Sequence, residues 1–126
     1  MQQDLIQRLL ASTGVSAIAG TRINWNRNKQ GAANPRIRLR LVSEPRDYHL
    51  KGPTGLLYAR VQVDCFADSY TQATALRKAV IDELEIQSFG SIHLITVLDS
   101  GDGPDETPPS PVHHVYVDLQ VIHKGA

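Results

Sequence analysis

Cysteine occurs once, at Cys65, in a chain of 126 residues. No disulfide can therefore close within the chain, and a cysteine-based zinc cluster is excluded. Long apolar runs are missing as well. Stretches such as Val15 to Ala19 are far too short to span a bilayer. Met1-Gln2-Gln3-Asp4 has no basic start ahead of a long apolar run, so no signal peptide is expected and a soluble protein of a reducing cytoplasm is. Aromatic residues make up only 6% of the chain, and there is no surplus charge of either sign, with 13 basic and 13 acidic residues. A neutral chain argues against a non-specific nucleic-acid binder. What is present is ordinary: 41% hydrophobic and 21% charged residues. That balance and length fit one globular domain, 1–126. A core of this size buries roughly two-thirds of the unfolded surface.

The charge is balanced in number but not along the chain. Residues 1–63 hold ten basic residues against three acidic ones, a net of +7, and residues 64–126 hold three against ten, a net of −7. Two readings stand. The halves interleave and neutralise each other within one monomer, or the surface is dipolar and favours head-to-tail contact between identical copies.

Hydrophobic spacing predicts a helix over Asp4 to Thr13, carried by Leu5, Ile6, Leu9 and Leu10, with Gly14 suited to a left-handed cap and a further short turn before Gly20. Residues 22–35 read as polar and turn-rich around Trp25. Arg36 to Ser43 alternates, with Arg36, Arg38 and Arg40 on one face and Ile37, Leu39 and Leu41 on the other, which predicts a half-buried strand. Glu44 to Gly55 reads as a loop. Leu56 to Phe66 is a second strand with Val61, Val63 and Cys65 inward, making Cys65 a small core residue and not a reactive thiol. Asp68 or Ser69 caps a helix from Tyr70 to about Glu85 whose stripe is Ala73, Leu76, Val80 and Leu84. Ser91 to Leu98 alternates Ile92, Leu94 and Thr96 against His93, Ile95 and Val97. Residues 99–111 form a mobile acidic loop containing Asp99, Asp102, Asp105 and Glu106, and Val112 to His123 is the last strand. The order α-β-β-α-β-β implies an α+β fold: a mostly antiparallel sheet of about four strands, covered on one face by two helices.

The search for chemistry yields no catalytic, cofactor or metal residues. His49, His93, His113, His114 and His123 show no metal-ligand spacing, and adjacent His113 and His114 point to opposite faces of a strand. The acidic residues of 99–111 do not fit a calcium loop and read better as a solvated segment that orders on a partner. No nucleophile elbow exists, and Gly52-Pro-Thr-Gly55 lacks the rest of a phosphate loop. The local feature that stands out is the strip Arg36, Arg38, Arg40. It can pair across strands with Asp64 or Asp118, contact an acidic face of another subunit, or hold phosphates of a nucleic acid. No aromatic residues interleave with it to stack bases.

The segment Leu56 to Leu76, with Val61-Gln-Val-Asp-Cys-Phe66 running into the Ala73, Leu76, Ala79, Val80, Leu84 helix, resembles the tail-completion proteins of long-tailed bacteriophages, also called tail terminator or tail-to-head joining proteins. Arg22-Ile23, Pro35 to Leu41, Gly52, Gly55 and Val117-Asp-Leu-Gln-Val121 extend the resemblance to nearly the whole chain, by order and spacing more than by any one motif. Asn24 departs from it, standing where the family commonly has an aromatic residue. The resemblance implies a structural, non-enzymatic virion protein without cofactors or membrane contact. It implies a ring of six copies at the tail–neck junction that caps the tail tube, stops its polymerisation and meets the head-completion or neck protein, assembled in the host bacterial cytoplasm. Arg36, Arg38 and Arg40 are then candidates for the subunit seam or for non-specific contact with genomic DNA in the lumen. Asp99, Asp102, Asp105 and Glu106 are candidates for partner contact. The competing reading is a small α+β ligand-binding domain or enzyme using His49, His93 and His113.

Overall fold

The computed structural model describes residues 1–26, 34–49, 52–103 and 112–124. Among them the chain forms α1 (Gln2–Ala11), α2 (Thr13–Ala19), β1 (Ile23–Trp25), β2 (Arg36–Ser43), β3 (Arg46–His49), β4 (Gly52–Ala67), α3 (Tyr70–Leu84), β5 (Ile92–Asp102) and β6 (His113–Lys124). The strands make one six-stranded sheet in the order β1-β2-β4-β6-β5, with β3 pairing on β4. All pairings are antiparallel except β1 with β2. The expected α+β fold is present, with more strands and helices than four and two.

Each difference has a local cause. The first helix breaks at Ser12, whose backbone is extended and whose hydroxyl accepts from the Val15 backbone N–H, so a second helix starts there and Gly14 lies inside it instead of ending the first. Strand β1 has three residues, too few for a periodic signal, and it runs parallel to β2, paired Ile23 with Ile37. The expected loop 44–55 instead contains β3 and the start of β4, because Pro53 and Gly55 are accommodated where β4 runs past β2 and pairs with β3. The alternation read over 92–97 is broken by a bulge between Ile92 and Leu94, which turns both Ile92 and Ile95 into the core.

Strand β4 is the axis of the molecule: it pairs with β2 along one side and with β6 along the other. Its inward residues Val61, Val63 and Cys65 meet Ile37 and Leu39 of β2 and Val115, Val117, Leu119 and Val121 of β6, all fully buried. The helices close this face with Leu5 and Leu9 of α1, Val15 and Ala19 of α2, and Ala73, Leu76, Val80 and Leu84 of α3. Each buried leucine contributes at most about 1.5–3 kcal/mol of transfer free energy. Ser69 caps α3 by accepting from the Gln72 N–H. Asp4 ties α1 to the α3–β5 turn: one carboxylate oxygen accepts from the Ser91 backbone N–H (3.1 Å) and hydroxyl (2.8 Å). Gly90 is required beside it, since its φ is +54° and a Cβ there would lie 2.6 Å from the Asp4 carboxyl carbon.

Candidate functional site

The helices cover one face of the sheet and leave the other to polar side chains. Period two places Arg36, Arg38 and Arg40 of β2 on this open face, beside Arg60, Gln62, Asp64 and Phe66 of β4. His114, Tyr116, Asp118 and Gln120 of β6 follow, then Thr96, Asp99 and Gly101 of β5.

Asp64 is the hub of this face and is fully buried. Arg38, directly opposite it, donates Nε and Nη2 to one carboxylate oxygen at 3.2 and 2.9 Å. The other oxygen accepts from Gln62 Nε2 at 2.9 Å and lies 2.7 Å from His114 Nε2. A carboxylate only accepts, so His114 Nε2 carries the proton. Four donors on two oxygens complete its hydrogen bonding. Burial pushes the Asp64 carboxyl up, but the hydrogen bonds from His114, Gln62 and Arg38 outweigh it and bring the pKa down to about 2. Phe66, also buried, is stacked on His114 with ring centroids 4.5 Å apart, and the guanidinium groups of Arg36 and Arg38 lie over its ring at 4.4 and 5.1 Å.

The three arginines of the strip thus have different fates. Arg38 is committed to Asp64 across the strand. Arg36 bonds the Asn34 side chain and rests on Phe66. Arg40 is exposed and donates to the neutral amide of Gln62 at 2.9 Å. A fourth arginine, Arg60, pairs with Asp118 at 3.0 Å. Together with Arg8–Glu83 at 3.0 Å, these pairs join the basic first half of the chain to its acidic second half. The halves interleave because β4, which carries the charge boundary, pairs with β2 from one half and β6 from the other.

The acidic candidates are also divided. Asp99 and Asp102 belong to β5 and not to a loop. Asp102 accepts from the Tyr70 hydroxyl at 3.0 Å, which raises the Tyr70 pKa, and lies 3.9 Å from Arg77. Asp99 is exposed and is register partner to Asp118. Asp105 and Glu106 lie outside the described residues.

Of the histidine set, the described members His93 and His113 lie far apart. His113 packs edge-on to Tyr70 at the start of β6, with ring centroids 6.4 Å apart, whereas His93 borders the end of that strand, beside Ile92, the register partner of His123. The ends of a strand this long are about 30 Å apart. The side chain of His49 lies outside the described residues. At the His93 end a groove of about 570 Å³ is lined in part by Leu41, Glu44, His93 and His123, with His123 Nε2 3.0 Å from Glu44. Among the described residues no three His, Cys, Asp or Glu side chains are placed to hold a metal ion, and no helix is long and apolar enough to cross a membrane.

Sequence reasoning missed the buried Asp64–His114–Phe66 cluster. The alternation of β4 put Asp64 and Phe66 on the polar face, but only the register with β6 brings His114 to them.

Compared with known proteins, this chain is matched over residues 3–124 by the family model described as tail completion protein gp17. No curated protein matches it. Among solved structures, a chain of the virion of a native gene transfer agent particle shares its fold, with a TM-score of 0.74 at 16% identity, covering 99% of this chain and 95% of that one. The family match takes in every element from α1 to β6, and on that ground the chain belongs to the tail completion protein gp17 family.

Proposed function

We propose that the protein is a structural virion component without catalytic activity. It self-assembles into a ring, of six copies, that caps the tail tube at the tail–neck junction. There it stops tube polymerisation and offers a docking face to the head-completion or neck protein, having assembled in the cytoplasm of a bacterial host. The observation that carries this reading is the family match across residues 3–124. The likeness of fold to a chain of a gene transfer agent virion agrees with it.

The open face supplies contact residues for such a ring. Arg38 is held within the monomer by Asp64, so the strip acts outward through Arg40 and the edge of Arg36. These reach a neighbouring copy or the phosphates of genomic DNA in the lumen. Asp99 offers an exposed carboxylate to a partner at the β5 margin of the same face.

Electron microscopy of particles made with and without the chain tests the reading. Without it, tails of abnormal length that do not join heads are expected. Tails of normal length, joined to filled heads, would overturn it.

A further inference from the structure

Asp64 and Asp118 both lie on the open face of the sheet, both nearly buried, yet only Asp64 is complete. Asp118 gives one oxygen to Arg60 Nη2 at 3.0 Å, while its other oxygen, Oδ1, is buried and has no hydrogen-bond donor among the described residues. The Asp118 side chain is only 8% exposed. A buried carboxylate oxygen lacking a donor is costly, and native folds rarely leave one so.

The register makes the deficit larger. Asp118 stands opposite Asp99 of β5, a like-charged cross-strand pair that a sheet ordinarily avoids. Arg60 is engaged by Asp118, while exposed Asp99 accepts from the Ser100 backbone N–H and has no ion pair among the described residues. At the other margin of the same face the imbalance is reversed. Arg40 is exposed, and among the described residues its guanidinium meets the Gln62 amide and no carboxylate. Strands β4 and β6 lie between β2 and β5, which puts the two margins about 14 Å apart at ordinary strand spacing. Within its own chain Arg40 is turned to Gln62, which stands between it and Asp118, and it lies three strands from Asp99.

We propose that the β5–β6 margin of one copy, with Asp99 and Asp118, docks against the β2 margin of the next copy, with its Arg40. The occupant of each margin is a second copy of this chain, because each margin lacks the charge that the other has in excess. A guanidinium arriving over exposed Asp99 offsets the charge of the like-charged Asp99–Asp118 pair. The two patches are different, so the contact is head-to-tail, and its repetition closes a ring when the rotation per copy divides a full turn. This rests on the self-assembly proposed above and says where the seam runs.

The test is a charge swap read by native mass spectrometry and sedimentation at low salt, and by microscopy of rings on purified tail tubes. Asp99→Arg and Arg40→Asp each place like charges at every seam and are expected to weaken ring formation by at least about tenfold. The double variant carries a reversed pair at every seam and is expected to restore rings. Lys78→Glu, on the exposed surface of α3, is the control for net charge and is expected to assemble like the parent. The proposal is overturned if either single variant forms rings as the parent does, if the double variant is no better than the singles, or if Lys78→Glu is equally damaging. It is overturned too if the singles keep their rings and lose only tube capping or head joining, since the margins then meet another tail protein. In all these cases the ring reading stands. If the parent forms no ring either free or on tubes, the ring reading itself fails.

Discussion

His114 Nε2 lies 2.7 Å from Asp64 Oδ1, joining the start of β6 to the end of β4 on the face that the helices leave open. The contact is diagonal, since the register partner of Asp64 is Tyr116 and that of His114 is Phe66. It places an ionised carboxylate, fully buried, within a ring of donors drawn from three strands.

Acid should therefore weaken the fold through Asp64. Its pKa falls from 3.8 to about 2 on folding, so the ionised form contributes stability that is fully present above pH 4 and lost as pH drops through 2. The group contributes on the order of 2 kcal/mol. Urea denaturation between pH 5 and 2 checks this: Asp64→Asn should flatten the acid slope and cost about 2–4 kcal/mol at neutral pH, because Arg38 and His114 lose their charged partner. Asp4, held low mainly by the hydrogen bond from the Ser91 backbone, titrates in the same direction, so variant and parent must be compared over the same range. An unchanged slope in the variant would refute the assignment.

Two glycines should respond oppositely to alanine. A Cβ on Gly103 would lie 2.2 Å from His114 Nδ1, so the imidazole would have to leave Asp64. Gly103→Ala is expected to cost about 1–3 kcal/mol and to move the His114 ring resonances. Gly14 lies within α2, and the nearest atoms to its Cβ position are at 3.9 and 4.0 Å. Gly14→Ala should stabilise by about 0.5–1 kcal/mol. Thermal denaturation of the pair reads both signs, and equal effects would mean that the crowding at Gly103 does not matter.

Cys65 should be inert while the protein is folded. Its thiol is fully buried, and burial, reinforced by the charge of Asp64 and opposed by Arg77, pushes its pKa up to about 12. Labelling with a thiol reagent at mildly alkaline pH should proceed only as fast as the chain opens, and should accelerate with denaturant along the unfolding curve. Rapid labelling of the native protein would contradict the inward placement of β4.

The period-two pattern on β2 and β4 and the helical stripe of α3 were legible because side-chain direction follows from backbone repeat alone. All of Ile37, Leu39, Val61, Val63, Cys65, Ala73, Leu76, Val80 and Leu84 are buried as those patterns require. The charge split was legible as a number but not as an arrangement. Short β1, the β3 hairpin and the bulge in β5 were not legible, since three or four residues carry no period and a bulge resets it.

By itself, then, the amino-acid order determined which residues turn inward, where the long elements run, and the family to which their spacing belongs. Only the tertiary structure decided what the open face does with its charges: that Arg38 is spent on Asp64 and, among the described residues, that Arg40 meets no carboxylate and Asp118 is left one donor short. The physical reason is that burial and facing direction are local consequences of backbone periodicity. Ion pairing depends on the register between strands that lie up to 58 residues apart in the chain, as Arg60 and Asp118 do.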